Sequence, residues 1–183
     1  MKNIYIVLTY TGTVLSKIIT GYTGDEFSHV SISLDENLQH MYSFGRLNPY
    51  NPFIGGFVHE KTNKGTFKRF KNTRSKILEI PVEDNQYEFL KQNLKKFKID
   101  RREYGFNVFG LFAVGFNKKI QGEKTFYCAE FVKYILEKSD IDMNLPELIK
   151  PDSFKNIQKS REIYEGLLKN YSNSKNRSYT KVV

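Results

Sequence analysis

The chain has 183 residues, of which 39% are hydrophobic and 15% aromatic, with no tryptophan and a single cysteine. This composition suits one globular domain and excludes a disordered chain or a disulfide scaffold. The formal net charge of +9 suits an acidic partner, but Lys91, Lys95, Lys96, Lys98, Lys118 and Lys119 are spread along the chain, with no nucleic-acid module and no glycine-rich phosphate loop. Solvated lysine faces are therefore expected rather than a specific nucleic-acid partner.

Residues 2–9 are β-branched and aromatic and predict a strand, ended by a turn-like Tyr-Thr-Gly-Thr. Val14, Leu15, Ile18 and Ile19 stand at helical spacing, and Gly21 and Gly24 close that helix. Residues 27–34 alternate, with Val30, Ile32 and Leu34 on one face and His29, Ser31 and Ser33 on the other. Asp35-Glu-Asn is a turn, and residues 38–44 return as the second arm of a hairpin.

Residues 45–57, rich in Asn, Pro and Gly, predict a long ordered loop. Residues 56–60, 66–70 and 76–82 predict strands. Tyr87, Leu90, Leu94 and Phe97 mark a helix with a lysine face over 82–97. Residues 106–116 are apolar with small residues and predict a buried helix or helix plus turn. Cys128 opens the next helix, with Val132, Ile135 and Leu136 on its core side. Pro151 starts a short helix, residues 161–168 an edge strand, and residues 171–183 a disordered basic tail, leaving one domain over 1–170. The opening residues are too short and too quickly polar for a signal peptide, and no apolar run is long enough to span a bilayer. A cytoplasmic protein is expected.

The candidate chemistry centres on Cys128. Backbone N–H groups and the positive end of the helix dipole favour a thiolate at a helix start. A nucleophilic cysteine also needs an imidazole within reach and a polar group to orient it. His29, His40 and His59 are the available histidines, and His29 is the best placed, on the polar side of a strand. The orienting group is expected from the neighbouring strand, where cross-strand residues lie about 5 Å apart. His40, Tyr42 and Ser43 are its candidates there, and spacing alone leaves the choice open. Three scattered histidines and one cysteine lack metal-ligand spacing, so no metal or other cofactor is expected.

Phe-Ser-His-Val-Ser-Ile-Ser-Leu, a hairpin, and then Phe-Tyr-Cys-Ala-Glu-Phe-Val resemble the circularly permuted NlpC-type papain-like superfamily. That group includes cell-wall-peptidase relatives and the lecithin:retinol acyltransferase-like enzymes, and in it the histidine strand precedes the cysteine helix, as here. The resemblance covers roughly residues 2–157. It implies an α+β fold in which an antiparallel sheet or half-barrel packs against helices, with the nucleophile at a helix N-terminus. It makes Cys128 the nucleophile and His29 the general base, and it puts the third residue near Met41, Tyr42 and Ser43, with His40 close by. This chain departs from the family's pattern there: Gln39 is the sole amide on that strand, and no carboxylate lies on it. A serine would orient the imidazole but stabilise imidazolium less than a carboxylate. Tyr10, at the end of the first strand, and Tyr127, beside the cysteine, are the candidate substrate contacts.

The implied function is a cysteine hydrolase (peptidase or amidase) or acyltransferase. It would work through a thioester on a small peptide, amide or lipid ester. The alternatives are a catalytically silent binding module on the same fold and a basic nucleic-acid-binding protein.

Overall fold

The computed structural model describes residues 1–48, 50–116, 118–120 and 122–172. The fold is α+β, built on a six-stranded antiparallel sheet with helices on both of its faces. In chain order the first elements are β1 (Lys2–Tyr10), α1 (Val14–Thr23), β2 (His29–Ser33), β3 (Met41–Asn48) and β4 (Asn51–Glu60). Next come α2 (Gly65–Arg69), β5 (Arg74–Val82), α3 (Asp84–Ile99), β6 (Gly105–Phe106) and α4 (Val108–Gly115). The chain continues through β7 (Thr125–Phe126), α5 (Cys128–Glu137), a 3-10 turn over Pro151–Phe154 and β8 (Arg161–Leu167). The large sheet runs β4-β3-β2-β1-β5-β8, and β6 and β7 form a separate parallel pair.

Strand β1 is central, which explains its unbroken apolar run. Ile4, Ile6 and Leu8 enter the larger core with Leu90, Leu94 and Phe97 of α3 and Phe131, Val132, Ile135 and Leu136 of α5. Tyr5 and Val7 point the other way, into a smaller core with Leu38, Met41, Phe67, Leu168 and Tyr171. Burying a side chain of Leu or Phe size is worth about 1.5–3 kcal/mol, so the larger core is the main anchor of α5. Thr13 caps α1 by accepting from the Ser16 N–H, and Gly24 ends the helix in the left-handed region at φ 72°.

Several sequence expectations need correction. Residues 45–57 are not a loop: β3 runs to Asn48 and β4 begins at Asn51, so the two form a hairpin with a register shift between Arg46 and Asn48. The glycines that suggested a loop serve close packing in the strands. A Cβ at Gly55 would collide with the Phe106 ring. Residues 66–70 are not a strand, because residues 65–69 form the single helical turn α2, whose one buried side chain, Phe67, drops into the smaller core. Ser31 and Ser33 lie on the polar face of β2, yet both are fully buried beneath that core. Tyr171 and Ser172, expected to open the tail, are helical. Tyr171 is buried against Tyr164, and its hydroxyl donates to the Glu36 carbonyl at 2.9 Å. The rest of the expected tail, 173–183, lies outside the described residues.

Among the described residues no helix is long and apolar enough to cross a membrane.

Candidate active site

Cys128 is the first residue of α5, and His29 is the first of β2. Helix α5 packs across β2 and β3 through its apolar side, which carries the helix start to the end of the histidine strand. A buried polar brace sets that helix start. Glu130 accepts from the Tyr127 N–H at 3.1 Å and from Asn107 Nδ2 at 3.1 Å. Asn107 in turn caps α4, its Oδ1 accepting from the Gly110 N–H at 2.8 Å. Burial raises the Glu130 carboxyl above its ordinary value, against the hydrogen bonds from Tyr127 and Asn107. The first turns of α4 and α5 are thereby tied together.

The His29 imidazole lines the same cleft as Cys128, whose thiol acts on its charge. Its Nε2 lies 3.1 Å from Glu60 Oε2 at the end of β4. With Nε2 held by the carboxylate, Nδ1 is the ring nitrogen open to a second partner. Ser31 Oγ donates to the same Glu60 oxygen at 2.5 Å and lies 3.3 Å from His29 Nε2. Glu60 Oε2 thus collects both a hydroxyl and an imidazole N–H. Burial opposes the charge on His29, but Glu60 and Cys128 outweigh it and push the imidazole up to about 10. Burial likewise opposes ionisation of Glu60, yet His29, Ser31 and Arg46 hold its carboxyl below the usual range.

Strand β3 lies between the partners and leaves them room. A Cβ at Gly45 would stand 3.2 Å from His29 Cε1, so the absence of a side chain there lets the ring lie against the strand. Ser43 is not the orienting group. It is fully buried, and its Oγ donates to the Val30 carbonyl at 2.6 Å. The β2–β3 ladder pairs only Ile32 with Tyr42 and Ser33 with Met41. Ser43 therefore extends the attachment of β3 to β2 beyond the ladder.

His40 is not at the site either. Its Nδ1 lies 3.0 Å from His59 Nε2, and the two rings stack, with His59 also stacked on Tyr42. Tyr10 and Tyr127 do not line the cleft. The Arg74 guanidinium sits over the Tyr10 ring, and Tyr127 is buried with its hydroxyl donating to the Ile149 carbonyl at 2.8 Å.

Cys128, His29 and Glu60 open into one narrow cavity of about 60 Å³. Leu15, Ile19, Phe44, Phe106 and Leu111 give it apolar walls, and Thr11, Thr66 and Arg46 give it polar ones. Among the described residues no three His, Cys, Asp or Glu side chains gather as a metal-ligand set.

Glu60 is the site residue that sequence reasoning missed. The signal was present: Glu60 ends a predicted strand, and alternation puts it on the opposite face from His59. Reading 45–57 as a loop hid the hairpin that pairs Glu60 with Met41 and so places its carboxylate near His29. No family model, no curated protein and no solved structure matches this chain.

Proposed function

We propose that this chain is a cysteine hydrolase or acyltransferase on a permuted papain-like scaffold, with Cys128 as nucleophile, His29 as its acid–base partner and Glu60 as the orienting group. The observation that carries this reading is a single imidazole paired with a buried carboxylate in the cleft that a thiol at a helix start also lines. The resemblance in strand and helix motifs, with histidine ahead of cysteine, supports the scaffold.

In the first step Cys128 Sγ attacks a carbonyl carbon, and its proton resides on His29 Nδ1. Glu60 stabilises the imidazolium and keeps the ring in place. The backbone N–H of Cys128, at the helix start, is the candidate donor to the developing oxyanion. The bond to the leaving amine or alcohol breaks, the imidazolium protonates that group, and a thioester remains. Water or an amine then attacks the thioester, gives its proton to His29 and releases the acyl product, and Cys128 recovers its proton. The substrates that suit this chemistry are small peptides, amides and lipid esters.

The rival reading, a silent binding module, drew its strength from the lack of a carboxylate beside the imidazole. Glu60 removes that reason for preferring it.

The test is the rate of alkylation by iodoacetamide at neutral pH. Wild type is expected to react well faster than a free thiol, Cys128→Ala not at all, and His29→Ala far more slowly than wild type. A wild-type rate no greater than that of a free thiol overturns the reading.

A further inference from the structure

The outward faces of α1 and α4 are apolar and uncovered. In α1, Val14, Ile18 and Tyr22 follow one another at steps of four and are exposed, Val14 to 74%. In α4 and its C-cap, Phe109, Phe112 and Phe116 recur at i, i+3 and i+7 and are exposed, Phe109 to 81%. The two helices pack against each other, and the Tyr22 and Phe116 ring centroids are 5.5 Å apart. These six side chains therefore form one patch. A solvent-facing helix ordinarily carries polar residues on that stripe, and a contiguous exposed apolar patch marks an interaction site.

Of the acidic residues that follow α1, Asp25 is partly buried and Glu26 is paired with Lys155 and Arg74, so the exposed charges beside the patch are lysines. Neither helix contains an Asp or a Glu. Lys17, within α1, and Lys118, just after α4, are both exposed. Among the described residues neither side chain has a carboxylate within 4.0 Å. Aromatic and aliphatic side chains bordered by unpaired lysines are the pattern of a surface that enters the headgroup boundary of an anionic bilayer. A two-fold pairing of this patch with a second copy would bring lysines of the same sign together around an apolar centre.

The patch also adjoins the cleft. Leu15 and Ile19 of α1 and Leu111 of α4 line the cavity that holds Cys128 and His29. The same helix pair thus faces the cleft on one side and presents the patch on the other.

We propose that the α1–α4 surface seats this protein on an anionic lipid bilayer. The apolar side chains enter the headgroup boundary, and Lys17 and Lys118 meet lipid phosphates. Combined with the cysteine-hydrolase reading, on which this extension rests, the surface selects a membrane-resident ester or amide as the substrate class. The docking itself does not depend on that reading.

The experiment is co-sedimentation of the full chain, carrying Cys128→Ala so that no turnover intervenes. The vesicles are of phosphatidylcholine alone and of phosphatidylcholine mixed with phosphatidylglycerol. Binding to the anionic vesicles is expected to be at least about fivefold tighter and to weaken with added salt. Phe109→Ser with Phe116→Ser, both at exposed positions, is expected to weaken it by more than about tenfold. Lys17→Glu and Lys118→Glu are each expected to cost about fivefold on anionic vesicles and to leave phosphatidylcholine binding alone. The proposal is overturned if the Cys128→Ala protein binds no vesicle, or if the phenylalanine and lysine variants made in it bind anionic vesicles as it does. A dimer in sedimentation velocity that the phenylalanine variant dissolves, without vesicle binding, overturns it in favour of a second copy. Because the binding protein lacks the thiol, a failure of alkylation at Cys128 leaves this result standing, and the reverse also holds.

Discussion

The β3–β4 hairpin presents two histidine couples that differ in almost every respect. His59 and Glu60 are adjacent, so alternation sends their side chains to opposite faces of the sheet. On one face Glu60 meets His29, with side chains only 14% and 19% exposed. On the other, His59 meets His40 in an outward stack. Burial lowers the His59 imidazole, and repulsion from His40, Lys98 and Lys61 lowers it further. Burial also opposes the charge on His29, yet the Glu60 carboxylate reverses the outcome. What an imidazole faces decides the direction of its shift here: the Glu60 carboxylate raises His29, while burial and neighbouring positive charge lower His59.

Removing the imidazole at the site breaks the comparison most severely. His29→Ala is expected to slow alkylation of Cys128, and any acyl-transfer activity, by about 10²–10⁴-fold, the usual worth of a positioned acid–base group. A loss of less than about fivefold would take His29 out of the machinery.

Next in size is Glu60→Gln, which makes the buried couple resemble the exposed one. Without the carboxylate, burial dominates, and the His29 titration should fall from about 10 toward or below its ordinary 6.5. The basic limb of the pH–activity profile should move down with it, read either by kinetics or by NMR of the imidazole. An unchanged titration would show that the carboxylate does not set it.

The same pair governs how stability depends on pH. The folded-state value of His29 is raised, so its contribution is complete below about 6.5 and is lost as pH climbs toward about 10. Glu60 is depressed, so its contribution is present above its ordinary 4.5 and is lost as pH falls through the lowered value. Thermal melts should therefore show a plateau between roughly pH 4.5 and 6.5 from this pair, declining on both sides. Glu60→Gln should flatten both limbs, and equal curves for the variant and wild type would refute the assignment.

A smaller effect is expected from Gly45→Ala. The added methyl would stand 3.2 Å from His29 Cε1, so the ring must give way. The expected cost is about 1 kcal/mol of stability, with a several-fold drop in alkylation rate. Smallest of all, His40→Ala and His59→Ala should each change stability by less than about 1 kcal/mol and leave alkylation within about twofold of wild type. A large loss of alkylation in either would join the outer couple to the site.

Much of this architecture follows from local pattern. The β-branched and aromatic run of β1, the alternation in β2, helical spacing in α1, α3 and α5, and the proline-started turn at Pro151 stand where the local pattern places them. A side-chain period of 2 or 3.6 is a property of a few consecutive residues, and the chain displays it directly. Cys128 at a helix start and His29 on a strand are visible for the same reason. Glu60, Gly45 and the true role of Ser43 are not, because they depend on which strand lies beside which and in what register. Phe67 likewise goes inward because a second core is there to receive it, which overrides the strand-like spacing of 66–70.

The sequence by itself determined the candidate cysteine, the candidate histidine and the order in which they occur along the chain. Each of these rests on residue type and local periodicity. Only the tertiary structure decided that the carboxylate beside His29 is Glu60 and that apolar side chains of α1 and α4 lie on neighbouring uncovered faces. Both facts join residues distant in the chain, and strand register and helix packing bring them together.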